Sequence, residues 1–251
     1  MKKAILITVR MDSSRLPNKT SMKILDKSVL ELVISRAKLA KNFDKVIVCT
    51  TEREVDDFIV DTAVKCGVDF FRGSLNDKLD RWKNAVEAHG IDAAVTMDAD
   101  DLFCDPYLMD LGSEQIENDV DFIECAYGMV VGSFTYAFTT GALQKVCEIK
   151  GTDDTEMMWT YFKDTGLFKV AKLQNVDEIY FNDNIRLTLD YPEDFELFKT
   201  VFEAFKCDKN DVPLKDILVY LSENPEIPEI NLFRQNDFLI NQKNKTKLIL
   251  K

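Results

Sequence analysis

The chain has 251 residues, 46% of them hydrophobic and 30% charged, which suits one large α/β domain or one domain with an appendage. Its 32 Lys and Arg stand against 44 Asp and Glu, a net charge of −12, and this argues against a nucleic-acid or anionic-membrane partner, since both call for a broad basic face. No stretch approaches the roughly 20 apolar residues of a membrane span, and the short N-terminal apolar run meets Arg10 without a small-residue cleavage site, so a cytoplasmic protein is expected.

Residues 3–9 are a short aliphatic run rich in β-branched side chains, the pattern of a buried strand. The run stops at Arg10 and opens into a polar loop with three cations, Arg10, Arg15 and Lys19, and two hydroxyls, Ser13 and Ser14. In open α/β sheets ligands sit beyond the carboxyl ends of the strands. Arg and Lys there give charge-assisted hydrogen bonds to phosphate oxygens. Charge alone leaves a solvated basic loop as the alternative. Ser28 and Glu31 have the spacing of a capping box, with Leu30, Val33, Ile34 and Ala37 following at helical intervals. A strand at 45–50, a helix at 55–66 ended by Gly67, a short strand at 68–71, a helix at 76–89 capped by Asn76 and a buried strand at 93–97 come next. Strands alternating with helices imply parallel pairing and right-handed crossovers, hence a three-layer α/β sandwich with a mostly parallel, Rossmann-like sheet.

Beyond Asp98 the rhythm changes. Strands are expected at 120–125 and 134–138, helices at 142–148 and 154–163, strands at 170–173 and 185–189, and a helix at 192–205. The stretch 125–182 reads as a hairpin and helix arm on an α/β domain of residues 1–206. Residues 207–251 read as a C-terminal part, with a helix around 214–221 and a basic tail from Asn241 expected to lie loose.

The six cysteines, Cys49, Cys66, Cys104, Cys125, Cys147 and Cys207, form no Cys-x-x-Cys pair and sit in apolar contexts, as reduced core thiols do. The single histidine, His89, falls at a helix end beside Gly90, so zinc sites and Ser-His-Asp triads lack their residues. Carboxylates are better placed. Asp98, Asp100 and Asp101 end a hydrophobic strand, and their mutual repulsion needs a cation or basic groups to offset it. A hard cation such as Mg²⁺ takes one or two carboxylates with phosphate oxygens and water. Alternation puts Asp98 and Asp100 on one side of the strand end. Asp105-Pro106 reads as the cap and first position of the next helix.

The segment Arg10-Met-Asp-Ser-Ser-Arg-Leu-Pro-Asn-Lys19 resembles the N-terminal signature of the sugar-acid cytidylyltransferases, roughly Ala-Arg-x-x-Ser-(Ser or Thr)-Arg-Leu-Pro-Gly-Lys. That family activates 3-deoxy-octulosonate, neuraminate and related acids and has a spore-coat polysaccharide branch. Val9 replaces the usual Ala and Asn18 the usual Gly, and Asn tolerates positive φ better than most residues. Further matches are Asp100 to Pro106 against Asp-x-Pro-Leu-Ile-Asp-Pro, with Leu102 for the first Pro, and Arg186-Leu-Thr-Leu-Asp190-Tyr-Pro-Glu-Asp194 against Arg-Leu-Thr-Val-Asp-Thr-Pro-Glu-Asp. Phe71-Arg72-Gly-Ser74-Leu-Asn-Asp77-Lys-Leu-Asp80-Arg81-Trp82 resembles Arg-Gly-Ser-x-x-Asp-Val-Leu-Asp-Arg.

The resemblance implies a GT-A-like nucleotidyltransferase fold and a homodimer. It implies a triphosphate held by Arg10, Ser13, Ser14, Arg15 and Lys19, a nucleoside near Arg72, Ser74 and Arg81, and Mg²⁺ on Asp100 and Asp190 with Asp98 as a further ligand. The reaction implied is transfer of CMP from CTP to a sugar acid, with Arg10, Arg15, Lys19 and Asp100 catalytic. Read from the residues alone, Asp190 caps the helix that starts at Pro192, Arg186 pairs with nearby acids and Trp82 is core. The acceptor half has diverged: Asp154-Thr-Glu156-Met-Met-Trp159 stands where relatives carry Glu-His-Val-Thr before an aromatic, leaving Tyr136, Thr155 and Trp159 as candidates. Other readings are a different nucleotidyltransferase, a nucleotide-sugar glycosyltransferase using Asp98-Ala-Asp100, and a silent nucleotide-binding dimer.

Overall fold

A strand with an unbroken apolar run must be covered on both faces, and the interior strand β1 (Lys3–Thr8) has its four middle residues buried. The computed structural model describes residues 1–251. After β1 come a small hairpin of β2 (Lys23–Ile24) and β3 (Lys27–Ser28), then α1 (Val29–Ala37), β4 (Lys45–Thr51), α2 (Asp57–Cys66), β5 (Asp69–Gly73), α3 (Lys78–His89), β6 (Ala93–Asp98) and α4 (Pro106–Gln115). The second half holds β7 (Phe122–Glu124), β8 (Tyr136–Thr139), α5 (Thr140–Ile149), α6 (Trp159–Lys163), β9 (Val170–Lys172), α7 (Pro192–Phe205), α8 (Leu214–Glu223), α9 (Glu229–Leu232) and α10 (Arg234–Lys245). No helix is long and apolar enough to cross a membrane.

The main sheet runs β5-β4-β1-β6-β8-β7-β9. Only β8 is reversed; it pairs antiparallel with β6 and β7, and every other pair is parallel. Period-2 alternation splits β1 between two cores: Ile5 and Ile7 pack with α1, α2, α4, α7 and α8, whereas Ala4 and Leu6 pack with α3, α5 and α6. The mostly parallel three-layer sandwich expected from the alternation is the fold observed.

Local signals set several element ends. Ser28 and Glu31 form the expected capping box, Gly67 ends α2 in the left-handed conformation (φ 67°), and Asp105 caps α4 with Pro106 in its first turn. Other expectations need correction. The cap of α3 is Asp77, whose side chain accepts from Asp80 N at 3.0 Å; Asn76 lies one residue outside. The helix expected over 154–163 is confined to Trp159–Lys163.

Residues 185–189 are not a strand. Leu187 N donates to Val131 O at 2.9 Å and Leu189 N to Asp100 O at 2.8 Å, so the segment lies between two irregular loops and no ladder forms. The stretch 125–182, expected as an arm, contributes β8 and β9 to the main sheet. Residues from 207 pack Leu214, Ile217, Leu218 and Leu221 of α8 into the larger core. The tail expected to lie loose is helical to Lys245 and then docks, with Gly151 N bonded to Ile249 O at 2.7 Å.

Candidate active site

β1 and β6 are parallel neighbours in register, Thr8 beside Asp98, so the two segments that follow them emerge side by side at the carboxyl edge of the sheet. The first is the 10–19 loop. Met11 N donates to Asp56 Oδ1 at 2.7 Å, which ties the loop to a buried carboxylate. Leu16 N donates to Ser13 Oγ at 3.3 Å. Asn18 takes the left-handed conformation at φ 60°, the geometry the family glycine would supply. The second segment carries Asp98, Asp100 and Asp101.

Between them opens a cleft of about 210 Å³, lined by Arg10, Ser13, Ser14, Arg15, Lys19, Lys78, Arg81, Asp98, Asp100, Glu156, Trp159 and Asp190 among others. Helix α10 roofs it with Phe238, Asn241, Gln242 and Lys245. All three loop cations and both expected hydroxyls therefore face one space.

Each cation in the cleft has an anionic or carbonyl partner. Lys19 Nζ donates to Asp100 Oδ2 at 2.9 Å and to Leu189 O at 2.8 Å, and lies 3.6 Å from Asp190 Oδ1. The two acids expected to share a cation thus share the Lys19 ammonium. Burial works to lower the Lys19 pKa, but Asp100 and Asp190 outweigh it and hold it above the ordinary value. Burial likewise works to raise Asp100, and Lys19 overrides it and keeps this carboxyl below the usual range. Arg15 pairs with Asp190 and lies over the Tyr191 ring; its Nη1 is buried without a hydrogen-bond partner. Such an orphaned donor calls for an acceptor from outside the protein.

Arg10 Nη2 is 3.1 Å from Glu156 Oε2. Asp98 pairs with Lys78 at 3.0 Å, and burial, partly offset by Lys78, raises its pKa. Asp101 is 8% exposed, and burial together with Asp100 and Asp98 holds its carboxyl well above the ordinary value. Ligand oxygens of Asp98, Asp100 and Asp101 lie within 4.8 Å of one another. Hard oxygen donors so closely grouped, now offset by Lys19 and Lys78, suit a hard divalent cation such as Mg²⁺.

Asp190, 1% exposed, stands outside that oxygen group and is flanked by Arg15, Arg186 and Lys19. Arg186 is fully buried and pairs with Asp194 and Asp190, as its reading as a partner of nearby acids anticipates.

The 71–82 motif reaches the cleft only in part. Arg81 lines it and donates to Ser74 O at 2.5 Å. Arg72 is a correction: its guanidinium is taken up by Thr51 O, Arg53 O and Asp57, at 2.9, 2.7 and 2.7 Å, and it does not line the cleft. The Ser74 side chain also stays outside, accepting from Asp77 N at 3.1 Å. Trp82 is core and donates from Nε1 to Thr8 Oγ1 at 2.9 Å. Of the three residues expected as acceptor candidates, Trp159 lines the cleft. Tyr136 stacks on Phe122, and Thr155 is buried with its hydroxyl on Asp77 at 2.9 Å.

Sequence reasoning missed Lys78, Glu156 and the whole of α10. Lys78 follows the cap Asp77 and could be found from the helix start. The α10 side chains come from the far end of the chain and leave no local signature.

Residues 4–243 match the family described as Cytidylyltransferase. The uncharacterized protein MJ1063 of Methanocaldococcus jannaschii is 33% identical over 229 residues, covering 90% of this chain and 93% of that protein. The spore coat polysaccharide biosynthesis protein SpsF of Bacillus subtilis is 25% identical, covering 88% and 94%. The structure of a cytidylyltransferase from Leptospira borgpetersenii aligns with a TM-score of 0.82 at 29% identity, over 90% of this chain and 96% of that one. The 10–19 signature, the strand order and these likenesses agree: the chain belongs to the cytidylyltransferase family.

Proposed function

We propose that this protein transfers CMP from CTP to a hydroxyl of a sugar acid of the nonulosonic or octulosonic type, releasing pyrophosphate and serving surface polysaccharide or glycan synthesis. The observation that carries the reading is the convergence of Arg10, Arg15 and Lys19 with Asp98 and Asp100 on one cleft at adjacent strand ends. The spore-coat role in the name of the Bacillus relative supports the polysaccharide setting. The reading carries with it a cytoplasmic homodimer.

Arg10, Arg15 and Lys19 hold the triphosphate and neutralise charge as pyrophosphate departs. Ser13 and Ser14 supply hydroxyl donors beside them. Arg81, which lines the cleft where Arg72 and Ser74 do not, is left for the nucleoside. Asp100, with Asp98 and with Asp190 across the Lys19 ammonium that it shares with Asp100, would hold Mg²⁺, and the ion would offset charge on the phosphate oxygens. The acceptor oxygen bonds to the α-phosphorus as the bond to pyrophosphate breaks, and the hydroxyl proton passes to solvent water. Positioning and fixed charge do the work, which suits a chain with one histidine.

Calorimetric titration with CTP, UTP, ATP and GTP, with and without Mg²⁺, tests the reading. Metal-dependent preference for CTP, followed by pyrophosphate release with a panel of sugar acids, is the expected result. Equal affinity for all four, or consumption of a nucleotide sugar instead, overturns it.

A further inference from the structure

Glu156 is a carboxylate of the cleft wall that lies between cations. Its two oxygens face two cations from distant parts of the chain: Oε2 is 3.1 Å from Arg10 Nη2, and Oε1 is 3.7 Å from Lys245 Nζ in the last turn of α10. All three side chains line the cleft, with Lys78 in the same wall.

We propose that Arg10 and Lys245 form a subsite for the terminal phosphates of the nucleotide, and that Glu156 occupies it as an internal anion until phosphate displaces it. The assignment rests on the nucleotidyltransferase reading and adds two residues to it, one as a phosphate ligand and one as a competitor.

Three features support the assignment. First, in a chain of net charge −12 an anion must be captured by local cations, and like charges converging on one space repel unless something lies between them. Glu156 supplies that charge. Second, the backbones on both sides are fixed, so the exchange needs only a side-chain rotation. Thr155 is pinned to the start of α3, its Oγ1 donating to Asp77 at 2.9 Å and accepting from Leu79 N at 3.0 Å. Beyond Lys245 the chain clips onto the same loop, with Lys251 N bonded to Ile149 O at 2.9 Å and Gly151 N to Ile249 O at 2.7 Å. Third, the hold on Glu156 is weak enough to be broken: its side chain is 40% exposed, and exposed ion pairs contribute little. A multiply charged phosphate group meets the same two cations with more charge and more acceptor oxygens.

Inorganic pyrophosphate is the probe, because it carries neither base nor sugar. Glu156→Gln is expected to bind it about two- to five-fold more tightly, the range set by losing a half-exposed competitor. Lys245→Gln is expected to bind it about tenfold more weakly, the loss of one charge-assisted contact. In the double variant the gain from Glu156→Gln is expected to shrink, since one of the two freed cations is gone. Lys245→Arg retains the affinity, and unchanged thermal midpoints exclude unfolding.

Unchanged or weaker pyrophosphate binding in Glu156→Gln overturns the proposal. So does a gain seen only with gluconate, a small polyhydroxy carboxylate, which gives the pair to the acceptor's acid group. Loss of CTP preference over the other nucleotides overturns the cytidylyl reading and leaves the pyrophosphate result standing, so the two failures are distinguishable.

Discussion

Lys19 and Asp100 meet at 2.9 Å in the wall of the cleft, and the same ammonium lies 3.6 Å from Asp190. One cation thus holds together carboxylates from the end of β6 and from the approach to α7. The pair orders the site and prevents two acids from repelling each other. Replacing Asp100 with Asn keeps the shape and one acceptor oxygen but removes the charge that the proposed reaction needs for its metal. Asp100→Asn is expected to lower the rate of pyrophosphate release about a thousandfold or more, several kcal/mol of barrier, while the thermal midpoint stays close to wild type. Turnover near wild type in a folded Asp100→Asn protein refutes the metal role.

The scaffold behind that pair is an ion cluster that is almost wholly buried. Arg186 is fully buried, with Nε 3.1 Å from Asp194 Oδ1 and Nη2 3.1 Å from Asp190 Oδ2. Asp194 also accepts from the amides of Asp190 and Tyr191, at 2.7 and 2.8 Å, and from Asn231 Nδ2 at 2.8 Å. Asp194→Ala leaves the guanidinium with Asp190 as its one carboxylate partner and strands the amides of Asp190 and Tyr191. A loss of about 3–5 kcal/mol in urea unfolding is expected, because removing one carboxylate from a buried ion cluster leaves its cations short of charge and its amide donors without an acceptor. A loss below about 1 kcal/mol, the worth of a surface pair, contradicts this account.

The 10–19 loop, the strand-end acids and the caps Ser28 and Asp105 are legible in sequence because each is set by neighbours a few residues away. Asn18 is legible for the same reason: the family position is a glycine, and the structure places it at φ 60°. Arg72 misleads because motif and partner disagree; Asp57, fifteen positions away in another element, claims its guanidinium. Residues 185–189 read as a strand by their apolar pattern, which reports burial and not the partner's geometry, and their partners are loops. Glu156, Phe238 and Lys245 reach the cleft only through tertiary packing. A helix as polar as α10, with no residue fully buried, gives no sign of what it roofs.

Gly132 is the one glycine where both conformation and space exclude a side chain. Its φ is +89°, and a Cβ there would come within 1.9 Å of Leu187 O. That contact lies where 129–133 runs against the 185–189 segment leading to Asp190. Gly132→Ala must push the segment away, and a destabilisation of more than about 3 kcal/mol is expected, together with weaker nucleotide binding as Asp190 shifts. Gly141→Ala, at the start of α5 with nothing within 4 Å of the added carbon, is the control and is expected to be neutral or stabilising. Equal midpoints for the two variants refute the steric argument.

The capping box of α1 gives the protein a defined acid limb. The Lys65 ammonium, then the Ser28 amide and hydroxyl, lower the Glu31 pKa from its ordinary 4.5 to about 2 against an opposing effect of burial. The Glu31 side chain is 12% exposed while Lys65 is 70% exposed, so solvent screening discounts the pair and leaves the cap as the main contribution, about 1 kcal/mol. A carboxyl whose folded pKa lies below its unfolded value stabilises the folded state above the unfolded pKa and loses that contribution as pH falls through the folded one. The stability contributed by Glu31 is therefore complete above pH 4.5 and declines from there toward about pH 2. In Glu31→Gln the amide cannot titrate, so the difference between the two proteins is expected to hold steady at neutral pH and narrow through that window. Urea midpoints measured at intervals across it, with Lys65→Met as a second variant, check both the sign and the window. A gap that stays constant to pH 2 shows that Glu31 acts through packing alone.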